Sequence, residues 1–189
     1  MSAPTITNIT GPADGHYRAG QTLTFTVTFS ENITVSGTSS ALGLTIGSTG
    51  HTAAYASKTA NSITYSYTVQ AGDNDGDGIV LDAIDLGDDT IRAAAGDDDA
   101  NIALTAFSTI ASRVYVDTTA PTTTELSVPA GTFALGEEII FTLKFSEVVT
   151  VEGSPTLTLT AGSTSRTATH LSTDGGTVTF GYTVQAGGR

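Results

Sequence analysis

The richest chemistry in the sequence lies at residues 72–78, Gly-Asp-Asn-Asp-Gly-Asp-Gly. Asp73, Asp75 and Asp77 alternate, so a tight turn there would aim every second side chain at one point, and Gly78 allows backbone that a bulkier residue resists. Converging carboxylates suit a hard cation, and calcium is the expected ion. An EF-hand is not expected: counted from Asp73, the position of the closing bidentate glutamate is Ile84, and neither flank is patterned as an amphipathic helix. The bland alternative is an acidic surface turn, because Asp and Gly are also ordinary turn residues.

The segments that must position this loop repeat along the chain. Thr24-Phe25-Thr26-Val27-Thr28-Phe29-Ser30-Glu31 returns as Ile140-Phe141-Thr142-Leu143-Lys144-Phe145-Ser146-Glu147, and Tyr67-Thr68-Val69-Gln70-Ala71-Gly72 as Tyr182-Thr183-Val184-Gln185-Ala186-Gly187. Ala3-Pro4-Thr5 returns as Ala120-Pro121-Thr122. Two tandem modules are therefore expected, a complete one over residues 3–118 and a second over 120–189. The second is shortened, since nothing in it corresponds to Asp75 through Asp117. Residues 116–121 read as a short linker stiffened by Pro121.

Within the first module the hydrophobic period is two. Leu23, Phe25, Val27 and Phe29 alternate with threonines, and Ile63, Tyr65, Tyr67 and Val69 alternate with Ser, Thr and Gln, the mark of strands with one buried face. Further strands are expected at 5–10, 42–46, 52–57, 79–83 and 109–116, with only 90–95 tolerant of helix. Seven short strands between turn clusters predict an all-β fold, an antiparallel seven-stranded immunoglobulin-like β-sandwich.

Composition narrows the functions. Seven Lys and Arg against 19 Asp and Glu give a net charge of −12, which repels nucleic acid and attracts divalent cations. With no cysteine, disulfides and thiol chemistry are unavailable. No apolar run is long enough to insert in a membrane, and residues 1–5 do not resemble a signal peptide. The chain is accordingly expected either to be a piece of a longer secreted protein or not to be exported by the signal-peptide route.

Catalysis is not expected. His16, His51 and His170 align with Thr132, Arg166 and Tyr55 of the other module, and no nucleophile elbow, zinc helix or phosphate loop is present. Paired acids of the glycosidase type usually act in aromatic-walled clefts, and there is no Trp. The six tyrosines read as core or rim residues, so a small-molecule ligand is not expected.

The TFTVTFSE strand, the YTVQAGDNDGDGI segment and the VDTTAP linker together resemble the tandem immunoglobulin-like, cadherin-like repeats of large RTX-type bacterial surface adhesins. The resemblance spans both modules and implies an extender rod, outside the cell or on its surface, in which calcium stiffens the joints between adjacent modules. The second module departs from it by lacking the acidic loop.

If seven strands alternate in direction, the loop at 73–77 lies at the same pole as Asp117, where the chain leaves the module. Glu147 would lie at the near pole of the next. The expected metal ligands are thus Asp73, Asp75, Asp77, Asp117 and Glu147, completed by carbonyls and water. The count depends on Ile33–Val35 not being a separate strand. Ten of the 19 acids lie between Asp73 and Asp99, and the run Asp97-Asp98-Asp99 reads as a solvated turn or a surface facing a preceding module. The alternative to the spacer reading is a fibre or phage-virion surface component, made without a signal peptide, whose second module assembles by strand complementation with a neighbouring subunit.

Overall fold

The computed structural model describes residues 2–108 and 111–186. The chain divides into two compact units, Met1–Thr119 and Ala120–Arg189, and the architecture is all-β with two tandem β-sheet modules. The first unit contains β1 (Ile6–Thr10), β2 (Gly15–Tyr17), β3 (Thr22–Phe29), β4 (Ile33–Val35), β5 (Ala41–Ile46), β6 (Thr49–Lys58), β7 (Ser62–Thr68), β8 (Asn74–Asp75), β9 (Val80–Asp85), β10 (Ile91–Ala93) and β11 (Val114–Asp117).

The alternating segments build the main sheet. Threonines on β3 face outward while Leu23, Phe25, Val27 and Phe29 are buried, and β7 pairs with it in register, Phe25 opposite Tyr65 and Val27 opposite Ile63. The sheet runs β1-β3-β7-β6-β5-β9 and is antiparallel at each pairing. A sheet with one apolar face needs a second layer over it. Here that layer comprises the pair β10-β4 and the three-stranded β2-β11-β8. Ile33, Ile91, Leu104, Val114 and Val116 pack from it into the same core as Leu23, Phe25 and Leu44.

The strand count exceeds the expected seven. Ile33–Val35 is a separate strand, pairing with β10 inside the stretch expected to tolerate helix. Strands β2, β4, β8 and β10 are two or three residues long, too short for an alternating pattern to show. One pairing, β2 with β11, is parallel. Of the strand expected at 109–116, Thr109 and Ile110 lie outside the described residues, and β11 occupies Val114–Asp117.

A buried carboxylate ties the two layers. Asp89 accepts hydrogen bonds from the Ser39 hydroxyl at 2.8 Å and the Ser40 N–H at 2.8 Å, and the Tyr65 hydroxyl reaches Ser40 Oγ at 3.5 Å. Burial pushes the Asp89 carboxyl up, but the bonds from Ser39 and Ser40 outweigh it and hold it below its ordinary value.

The second unit is a five-stranded sheet, β12 (Thr123–Ser127), β13 (Glu138–Phe145), β16 (Thr177–Thr183), β15 (Thr164–Asp174) and β14 (Thr156–Ala161), in that spatial order. It repeats β1-β3-β7-β6-β5 down to the irregularities: β1 and β12 each carry a bulge near their start, as do β6 and β15 against their partners. Its core is small, with Phe141, Ala168, Val178, Phe180 and Tyr182 buried.

Because a depressed carboxyl stabilises the fold above its unfolded pKa and loses that contribution as pH falls through its folded one, Asp89→Asn should melt several degrees below wild type at pH 7. The gap should close below the ordinary value of 3.8. Thermal melts of the two proteins from pH 7 to 2.5 check this.

Candidate functional site

The acidic loop joins β7 to β9 and contains β8. Through it the chain dips from the main sheet into the second layer at β8 and returns to the main sheet at β9. Two close approaches shape it. Gly78 has φ of +102°, and a Cβ there would collide with the backbone of Ser112; Gly47, at φ of +59° in the β5–β6 turn, lies against the Asn74 carbonyl. Neither position has room for a side chain.

The expected ligands do not all turn to one point. Asp73 is 7% exposed, and its Oδ2 accepts hydrogen bonds from the Tyr67 hydroxyl at 2.6 Å and the Gln70 N–H at 2.8 Å. Its Oδ1 lies 3.3 Å from His51 Nε2, which makes no hydrogen bond, while His51 Nδ1 is 2.9 Å from the Tyr67 hydroxyl. Asp75 is 5% exposed; its Oδ1 accepts from the N–H groups of Gly78 at 2.6 Å and Asp77 at 3.1 Å, and its Oδ2 from that of Gly47 at 2.8 Å. Asp77 is exposed. Asp117 is also exposed and accepts a bond from the Thr119 N–H at 2.9 Å. Glu147 belongs to the second unit, half-buried just beyond β13.

The two inner carboxylates therefore act as turn-formers, each saturating nearby donors that would otherwise be orphaned. Among the described residues no group of three or more His, Asp or Glu side chains is arranged to hold a metal ion. Both inner carboxylates already accept N–H or O–H hydrogen bonds, which an ion bound through them would share or displace.

The loop does hold something, namely the outgoing chain. Strand β8 pairs antiparallel with β11, Asp75 opposite Val116 and Asn74 opposite Asp117. Beyond β11, Thr118 Oγ1 accepts from the Gly72 N–H at 2.9 Å and donates to the Asp73 carbonyl at 3.0 Å. Asn74 Oδ1 accepts from the Thr118 N–H at 3.0 Å and the Thr119 hydroxyl at 3.3 Å. Asn74, Thr118 and Thr119 drew no functional expectation from the sequence, since only the acids around them carried a metal-site pattern.

The histidines occupy separate places. His16 packs on Tyr115, and His170 Nε2 lies 2.8 Å from Thr173 Oγ1. His51 alone meets a buried acid.

No family model matches the chain, and no curated protein sequence matches it at a significant level. The two-module, all-β fold is consistent with a generic immunoglobulin-like β-sandwich architecture.

Burial, together with the hydrogen bond to Asp73 and the charge of that carboxylate, pushes the Tyr67 hydroxyl well above its ordinary 10.0. A raised pKa gives stability that is complete below the unfolded value and fades as pH climbs above it. Tyr67→Phe should cost about 1 kcal/mol at neutral pH through the lost hydrogen bond. It should also flatten the decline in melting temperature above pH 10, which melts between pH 7 and 11.5 would show.

Proposed function

We propose that the chain is a non-catalytic spacer segment of a large bacterial surface protein of the RTX-adhesin type, working outside the cell beside further immunoglobulin-like modules. The observation that carries this reading is the grip of Gly72–Asp75 on Val116–Thr119, which governs how the chain leaves a module. A spacer needs that departure fixed, whereas a freely hinged linker would let a rod collapse. Repetition of the sheet, strand for strand, and the absence of catalytic sequence motifs support it.

Calcium remains part of the proposal, with Asp73, Asp75, Asp77, Asp117 and Glu147 as candidate ligands. Binding through the inner pair would exchange protein donors for the ion, so binding and rearrangement of the loop would go together. The exposed Asp77 needs no such exchange, and Asp117 holds a single donor, the Thr119 N–H. A fibre or phage-virion component assembled by strand complementation is the second reading. It is favoured by the apolar face of the second unit, where Ile139, Leu143 and Leu159 are only half-buried.

Thr118→Val should raise amide exchange at residues 116–119 about tenfold, equivalent to about 1.4 kcal/mol of local stability, without unfolding the main sheet. Unchanged exchange would remove the basis of the fixed-exit reading. Calcium, in turn, should raise the melting temperature of wild type relative to chelator, with the increment lost in Asp75→Ala. Coincident wild-type melts and no heat of calcium binding would leave a joint held by protein hydrogen bonds alone. Sedimentation separates the readings of the whole chain, a monomer fitting the spacer and polymers fitting the assembled fibre.

A further inference from the structure

One buried polar contact in the first unit does not balance. The Tyr67 hydroxyl has a single proton to give, and Asp73, as a carboxylate, can only accept. The 2.6 Å bond between them therefore commits that proton to Asp73 Oδ2. The Tyr67 oxygen is then the acceptor in its 2.9 Å contact with His51 Nδ1, so Nδ1 carries hydrogen. In a neutral ring the other nitrogen, Nε2, is left with a bare lone pair. It lies 3.3 Å from Asp73 Oδ1, acceptor against acceptor, and is buried without a hydrogen-bond partner. Two acceptors held together away from water are costly, and a cation between them removes the cost.

The second unit carries a permanent charge at the same position. Leu44 opposite His51 and Leu159 opposite Arg166 are equivalent pairs, each two residues back from the last pair of its hairpin, so Arg166 stands where His51 does. A positive charge there is fixed in one unit and, in the other, depends on what His51 Nε2 holds.

The spacing and the donor types narrow the cation. Two donors about 2.05 Å from a tetrahedral ion stand about 3.3 Å apart, which is the separation of His51 Nε2 and Asp73 Oδ1. Calcium, with longer arms of about 2.3–2.6 Å and a preference for oxygen, is a poorer match to an imidazole nitrogen. A ligating imidazole commonly gives its remaining N–H to a partner that fixes the ring, and Tyr67 takes that part through Nδ1. The His51 side chain keeps 17% of its surface exposed, which places the pair near solvent.

We propose that His51 Nε2 and Asp73 Oδ1 form a site for a divalent transition ion of the zinc class, with Tyr67 as a positioning residue and water in the remaining coordination positions. The site shares Asp73 with the candidate calcium ligands but is defined by its nitrogen donor. It is independent of the exit at Thr118, so its failure would leave the spacer reading standing.

Titration calorimetry of the full chain with zinc chloride at pH 7.5 should show one binding event per chain, accompanied by a rise in melting temperature. His51→Arg, which copies the second unit, and His51→Gln should both lose that event. Asp73→Asn should weaken it about tenfold or more and Tyr67→Phe about tenfold, the usual loss when the partner of a ligating imidazole is removed. Melts of the metal-free variants show that each is folded. Cobalt in place of zinc should give the intense visible bands of a four-coordinate ion, absent in His51→Arg, and nitrogen-15 spectra should show the His51 Nε2 resonance moved by zinc while Nδ1 stays protonated. The proposal is overturned if both His51 variants bind zinc as wild type does, or if calcium at equal concentration displaces the ion. It is equally overturned if Nε2 carries a proton at pH 7.5 and keeps it in saturating zinc, which would make the contact an ordinary ion pair. Affinity unchanged in Tyr67→Phe would remove that residue from the site.

Discussion

The first unit depends on one corner, where the chain leaves β7, pairs briefly in the covering layer as β8 and returns to the main sheet as β9. Asp75 holds that corner by accepting three backbone N–H bonds, two from its own turn and one from the β5–β6 turn. A buried carboxylate is expensive unless its lone pairs are filled, and here the donors would be equally expensive without it. The mutual requirement selects one path for the chain. The later core residues of the unit, including the buried Ile79, Leu81, Val114 and Val116, reach the core along that path.

The same requirement explains what the sequence discloses and what it hides. The alternation through Leu23–Phe29 is long enough to announce a half-buried strand, and the repeated TFTVTFSE segment announces two modules of one architecture. Strands of two or three residues such as β8 and β10 have no period of their own, being defined by the partner that passes beside them. Gly-Asp-Asn-Asp-Gly-Asp-Gly advertises carboxylates but not their targets. One of the amides that Asp75 accepts, that of Gly47, is distant in sequence and brought close only by the β5–β6 turn.

The two units thus amount to one sheet seen with and without its cover. Phe25 and Phe141 occupy equivalent positions and both are buried, yet the flanking Val27 and Leu143 differ in exposure because, among the described residues, a second layer lies over the first alone. Pairing within a five-stranded sheet is evidently self-sufficient in register, whereas burial of its apolar face is not. Register is a property of neighbouring strands, while burial depends on what crosses above them.

The parallel pairing of β2 with β11 bears on mechanical load. Val114–Val116 runs in the same direction as Gly15–Tyr17, with three residue pairs in register. Tension drawn out through Asp117 would pull β11 along β2 rather than away from it, so the bonds of that ladder share the force instead of opening one at a time. In such a geometry rupture has to shear the ladder as a whole, and the unit resists extension at its exit more stiffly than its modest number of hydrogen bonds would suggest.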